Sequence, residues 1–348
     1  VRLITDRTTA ALAAGLAGIA VLYLSASALL AKPTTPLSGP TETRVSVVPI
    51  TFDRDDPKKT RFGKLIYRGG LNLFARSVHF GGYSALALDP SGTTLLALSD
   101  AGSWMRATLV YDGSRLASLS NVMLGPILDQ DGNPLSSENR QDAEGMALLS
   151  GDTLQGSALV SFERDHRIMR YPFTPDRFGP PNGTVPLPKA ARAMGSNQGL
   201  EAIATIQSGR MQGTVVALPE YLRDRAGNLI GWLIGGPSPG AITIRRLKGF
   251  DITDAAGLPD GGLLLLERRF RYSEGVKMRI RRIAPADLKP GKLITGETLL
   301  ETDDLLNIDN MEAIAVHRAQ DGATVLTLMS DDNFSAFQRS LIMQFTLP

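Results

Sequence analysis

The sequence predicts an all-β fold, a single β-propeller of five blades, on three observations. Runs of four to eight apolar and β-branched residues, such as "TTLLALSD", "SALVSFE", "GTVVALPE" and "ATVLTLMSD", alternate with Gly, Asp, Asn and Pro clusters, the pattern of strands and tight turns. After residue 43 no helical periodicity persists beyond about three turns. Five segments align, with opening positions Ser84, Glu144, Glu201, Asp254 and Glu312 at a nearly constant interval. A repeat with room for about four strands and no helix is a propeller blade.

The elements follow in chain order. Residues 8–31, "TTAALAAGLAGIAVLYLSASALLA", carry no charge and follow Arg2 and Arg7. A basic head, an apolar centre and small residues at Ala26-Ser27-Ala28 make a secretory signal peptide. The same stretch is long enough to cross a bilayer as an uncleaved N-terminal membrane anchor. "KPTTPLSGPTET", 32–43, reads as a linker, and 44–348 as the propeller domain. From Glu312 to the C-terminus there is room for three strands. "GKLIYRGGLNLFA" at 63–75 is expected to supply the missing outer strand, which closes the ring and leaves no open edge. The stretch 44–83 is longer than one strand needs, which leaves room for a sixth, less regular blade.

Composition narrows the function. Of 348 residues, 43% are hydrophobic and 21% charged, values of a chain with a packed core. The formal charge is +2, and no basic stripe interleaved with aromatics points to nucleic acid. The absence of cysteine excludes disulfides, thiolate metal sites and cysteine nucleophiles. The expectation is a periplasmic or secreted monomer, touching membrane only through an uncleaved N-terminus.

The candidate site comes from the acids of the repeat. In a propeller the first strand of each blade lines the channel, and strands one and two form a hairpin, so its first and last residues are neighbours. Glu144 to Glu163, Glu201 to Glu220 and Glu312 to Asp331 have identical spacing, while Asp254 to Glu267 is shorter. In the first repeat Ser84 replaces the opening acid and Asp100 keeps the closing one. Nine carboxylates are thus expected at one channel mouth. Such crowding must be relieved by raised pKa values, by arginines or by a cation. Nearby arginines are Arg106, Arg164, Arg167, Arg268 and Arg269. An irregular ring of carboxylate oxygens suits Ca²⁺, which takes six to eight hard ligands in flexible geometry. The competing reading is architectural, with the acids bonding backbone amides of adjacent blades.

At these residues the chain resembles the phytase-like family described as having esterase-like activity of phytase. The resemblance rests on "FGGYSALALDPSGTTLLALSDAG", "DAEGMAL", "SFERDHRIMRY", "NQGLEAIA", "LPDGGLLLLERRF" and "NMEAIAV", in that order. It implies a secreted or periplasmic propeller that hydrolyses phosphate or carboxylic esters. One departure is Ala85, where the family commonly has glycine after the serine.

The motifs limit the chemistry. A serine esterase needs a G-x-S-x-G elbow with a histidine base, and the chain has no such pentapeptide. The histidine-phosphatase motif R-H-G-x-R-x-P is also missing, and "DQDGNPLSSE" at 129–138 has its glycine misplaced for an EF-hand. Of the three histidines, His79 sits before the first repeat and His317 ends an inner strand. His166, beside Glu163, is the candidate acid–base group. The expectation is a metal-assisted hydrolase: Glu144, Glu201, Glu312 and His166 in catalysis, Arg164, Arg268 and Arg269 on the substrate, and Asp100, Glu163, Glu220, Asp254, Glu267 and Asp331 around Ca²⁺. The alternative is a non-catalytic periplasmic propeller that binds a ligand or a partner protein.

Overall fold

A computed structural model of the chain describes residues 32–196, 198–302 and 306–348. The signal peptide or anchor expected at 1–31 lies outside the described residues. The strands group into five sheets, antiparallel except for one short parallel pair at the edge of the third, arranged as the five blades of a β-propeller.

Blade 1 is built from Tyr83–Leu88, Thr94–Ser99, Ser103–Asp112 and Arg115–Pro126. Blade 2 has Ala143–Gly151, Gly156–Phe162 and Arg167–Thr174, edged by two short strands. Blade 3 has Leu200–Thr205, Val215–Pro219, Leu229–Ile234 and Gly240–Ile244. Blade 4 has Asp251–Gly257, Leu263–Arg271, Gly275–Ile283 and Glu297–Glu301. Blade 5 takes Met311–Arg318, Thr324–Ser330 and Ser340–Leu347 from the C-terminus, and Leu65–Ala75 and Val45–Ile50 from the N-terminal side.

Closure is therefore as the sequence implied, with Leu71 paired to Ile342 and Gly70 to Met343. The room left for a sixth blade is used otherwise: 45–50 and 65–75 both extend blade 5. Residues 32–43 do not hang free as a linker would. Thr41–Glu42 pairs with Met123 and Leu124 at the outer edge of blade 1.

Five blades bring five inner strands close to one axis, each touching the next around the ring. Small side chains permit this: Ala85, Ala87, Ala147, Ala202, Ala204, Ala255, Ala256, Ala313 and Ala315 all belong to inner strands and are buried. The apolar core lies between blades. Phe52, Phe62, Tyr67 and Phe345, for example, meet mostly edge to face at centroid distances of 4.7–6.5 Å, geometry that adds to plain area burial.

Candidate functional site

Each inner strand carries one extra residue near its start. The pairing steps from Tyr83 to Ala85, from Ala143 to Gly145, from Leu200 to Ala202, from Ile252 to Asp254 and from Met311 to Ala313. The residues passed over are Ser84, Glu144, Glu201, Thr253 and Glu312. A β-bulge leaves its extra residue out of the ladder and re-aims its side chain, and here the device recurs in all five blades.

The closing residue of each hairpin is fixed by a second recurring bond. The amides of Asp100, Glu163, Glu220 and Asp331 donate to the carbonyls of Gly82, Asp142, Gly199 and Asn310, at 2.9, 2.9, 3.1 and 2.9 Å. Each carbonyl lies two positions before the bulge. In blade 4 the residue in that register is Arg268, opposite Asp251.

Blade 4 therefore corrects the expected alignment by one position at each end. Its bulge residue is Thr253, not Asp254, and its closing residue is Arg268, not Glu267. Asp254 instead accepts the amides of Ala255 and of Ile314 in blade 5, both at 2.7 Å. Glu267 is fully buried and bonds Arg281 at 2.7 and 2.5 Å, with Arg279 at 3.7 Å. Arg281 also donates to the carbonyls of Arg245 and Thr295, so this cluster lies between blades 3 and 4. Arg269 belongs to a local turn, pairing with Glu274 and the Lys248 carbonyl. These three side chains are committed elsewhere, and the expected ring of nine acids loses two members.

What converges at the mouth is Asp100, Glu163, Glu220 and Asp331 from closing positions, Glu144, Glu201 and Glu312 from bulges, and Asp142. Sequence reasoning did not single out Asp142, although "DAEGMAL" contained it. It ends the short helix α1, Glu138–Gln141, and its carbonyl holds the Glu163 amide, which sets the two acids side by side. One carboxylate oxygen each from Asp142, Glu144 and Glu163 lie within 4.8 Å of one another.

Among the described residues, three cations answer these eight acids. Lys32 Nζ lies 3.0 Å from Asp100 and 3.3 Å from Asp142. Arg164, in the left-handed region at φ 57°, reaches Asp142 at 2.6 Å and Glu138 at 3.2 Å. Arg268 spans from Glu220 at 3.6 Å to Glu312 at 3.0 Å and donates to Asn310. Nothing in the sequence marked Lys32, which stands far ahead of Asp100 in the chain. Arg106 lies apart from the mouth, donating to the carbonyls of Thr153 and Thr174.

The remaining imbalance shows in the protonation of the acids. Burial, followed by repulsion from Glu201, Asp142 and Asp100, pushes the Glu144 carboxyl well above its ordinary value. Burial, then Glu220 and Glu163, does the same to Glu201, and burial with Glu312 and Asp100 to Asp331. Burial lifts Asp100 to about 6 against the pull of Lys32, and Glu220 to about 7 against that of Arg268. For Lys32 burial opposes the charge, and Asp100 and Asp142 outweigh it, so its pKa rises.

The other candidates divide between site and scaffold. Glu163 accepts the Gly199 amide at 2.7 Å, tying blade 2 to blade 3. His166 is beside it, with Nε2 2.9 Å from the Gly195 carbonyl and Nδ1 buried without a partner. A Cβ at position 199 would come within 2.6 Å of the His166 ring and 2.8 Å of Glu163 Cγ, so glycine is what lets the three pack. Ser84 and Thr253, the uncharged bulge residues, donate to the Ala143 and Met311 carbonyls of the next blade. Ser84 is thus a blade-to-blade tie.

The channel continues into a cavity of about 530 Å³ at its other end, lined by residues 86–88, 90, 146–151, 203–205, 207, 255–257, 259 and 314–318. No carboxylate among the described residues lines it, and its polar side chains include His317, Arg318 and Gln207. The converging acids lie at the mouth, beside His166, whereas the cavity at the other end is lined by His317, whose Nδ1 is likewise buried without a partner.

A β-propeller whose inner strands present bulged glutamates to an acidic channel mouth defines the class of molecule. The chain matches the Phytase-like family, described as esterase-like activity of phytase, over residues 78–334, about three quarters of its length. It belongs to that family. No curated protein matches it.

Proposed function

We propose that the protein is a hydrolase of phosphate or carboxylic esters that works with a divalent cation, Ca²⁺ by the chemistry of its donors, at the acidic mouth. The observation that carries this reading is the meeting of Asp142, Glu144 and Glu163 within 4.8 Å, amid five further carboxylates and three cations. The donors fit such an ion: all are hard oxygens, and two ligands of one Ca²⁺ at its usual bond lengths lie no more than about 5 Å apart. When bound, the cation would polarise the ester and offset the crowded charge.

The chain's own residues supply the rest. Glu201 and Glu312 border the same cluster, and burial, with Glu220 and Glu163 nearby, raises the Glu201 carboxyl well above its ordinary value. A glutamate whose pKa is raised in this way suits proton donation to the leaving oxygen as a water attacks and the ester bond breaks. Arg164 and Arg268 offer guanidinium donors to an anionic substrate. His166 stands beside Glu163 and can relay a proton. Export by the apolar segment 8–31 to a periplasmic or extracellular space belongs to the same proposal.

Turnover of p-nitrophenyl phosphate, p-nitrophenyl acetate and phytate, with Ca²⁺ and with chelator, tests it. Calcium-dependent turnover of one of them supports the reading, and turnover of none contradicts it. A second reading has an observation of its own. Glu163 on Gly199 and Asp254 on Ile314 are blade-to-blade bonds, as expected of a binding propeller in which acids serve the scaffold. Cation-dependent stability with no turnover would favour that reading.

A further inference from the structure

Among the described residues, the exposed aromatic side chains are all at one end of the molecule. They are Phe74, Tyr221, Phe270, Tyr272 and Phe337, with Tyr272 99% and Phe337 78% exposed. Phe74 is the penultimate residue of the blade 5 strand that runs toward the acid mouth. Tyr221 follows Glu220. Phe270 and Tyr272 form the tip of a blade 4 hairpin that continues past Arg268, their rings 5.4 Å apart. Phe337 stands in the loop after Asp331. Val78, 68% exposed, lies on the connection that enters blade 1 beside Gly82. The turns at the opposite end, around residues 90, 151, 208, 260 and 321, expose no large aromatic.

Lys32 sits in the acid cluster, and the stretch directly before it, 8–31, carries no charge. The apolar stretch therefore joins the propeller at the end that carries the aromatics.

We propose that the acid-mouth end of the propeller docks on a lipid bilayer, with Phe74, Tyr221, Phe270, Tyr272 and Phe337 entering the interfacial layer around the mouth. Phenylalanine and tyrosine favour that layer, where an apolar ring meets a wet headgroup region. The side chains stand on separate loops of blades 3, 4 and 5, with the recessed acids among them. A fluid surface accepts separate projections, whereas a folded protein partner is expected to need one continuous patch. The docking is independent of catalysis and would hold for a non-catalytic propeller as well.

An added tryptophan in the full chain tests it, read as the difference from wild type, because the two native tryptophans, Trp104 and Trp232, are buried and give a constant background. Tyr272→Trp and Phe337→Trp mark the mouth end, and Leu154→Trp, an exposed position of the opposite end, is the control. Each variant is reconstituted with phosphatidylcholine vesicles containing a spin-labelled lipid quencher. The expected result is a blue shift with at least twofold quenching at 272 and 337, and none at 154. Equal response at all three positions, or none at 272 and 337, overturns the proposal. A blue shift at 272 without lipid quenching that grows with protein concentration also overturns it, and assigns the face to a second copy of the chain.

Discussion

Arg268 of blade 4 lies 3.0 Å from Glu312 of blade 5 and 3.6 Å from Glu220 of blade 3, so one guanidinium joins three blades at the acidic mouth. It occupies the position that holds a carboxylate in the other four blades, which makes it the counter-charge of the ring. Arg268→Ala removes that charge and leaves both glutamates facing other acids. The melting temperature of the cation-free protein should fall by several degrees, with added Ca²⁺ restoring much of the loss. Thermal scans with chelator and with Ca²⁺ check this, and an unchanged melting temperature in chelator counts against it.

Glu144→Gln keeps the shape of the bulge and removes one charge from the cluster of Asp142, Glu144 and Glu163. Turnover of a responsive ester should drop at least about a hundredfold, the scale of losing a positioned catalytic group. The cation-free protein should be no less stable than wild type, because a repelled, poorly hydrated carboxyl has been replaced by a neutral amide. Kinetics and unfolding of the same preparation separate the two effects.

Glu267→Gln probes an acid assigned to the scaffold. The substitution leaves Arg281 buried beside a neutral partner, and breaking a buried pair costs about 3–5 kcal/mol. Chemical denaturation should show a loss of that order. Cation affinity of the folded fraction should stay within about twofold of wild type, because the charge removed lies between blades 3 and 4. A large loss of cation affinity would return Glu267 to the mouth.

His317 gives a pH dependence separable from the mouth. Burial lowers its pKa to about 4, with Asp89 and Asp321 pulling the other way and Arg68 assisting. The unfolded chain protonates this histidine near 6.5, before the folded chain does. Its contribution is thus full above about 6.5 and is lost as pH falls toward 4, by at most about 3 kcal/mol. The difference in stability between wild type and His317→Gln, followed from pH 7 to 4, should shrink in that direction. A difference that stays flat over the window contradicts the assignment.

The repeat carried the fold in the sequence, because a blade needs its four strands at a fixed period whatever else the residues do. Closure was legible for the same reason: three strands after Glu312 require a fourth from elsewhere. The site was legible where the hairpin spacing is constant and blurred in blade 4. There, acids served as landmarks, and a shorter hairpin moved the reading from Thr253 and Arg268 to Asp254 and Glu267. A bulge shifts register by a single position and leaves no compositional trace, so only the pairing reveals it. Asp142 and Lys32 were hidden for a different reason. Each reaches the mouth through a connection whose path depends on the packed blades, which no local pattern encodes.

Whether the mouth holds a cation is decided by calcium titration of the metal-free protein, by calorimetry beside a thermal scan. Saturable uptake of Ca²⁺ by the folded chain is expected, with a rise of several degrees in melting temperature and loss of both in Glu144→Gln. No uptake by a folded wild-type protein, with an unchanged melting temperature, would refute the metal-assisted site.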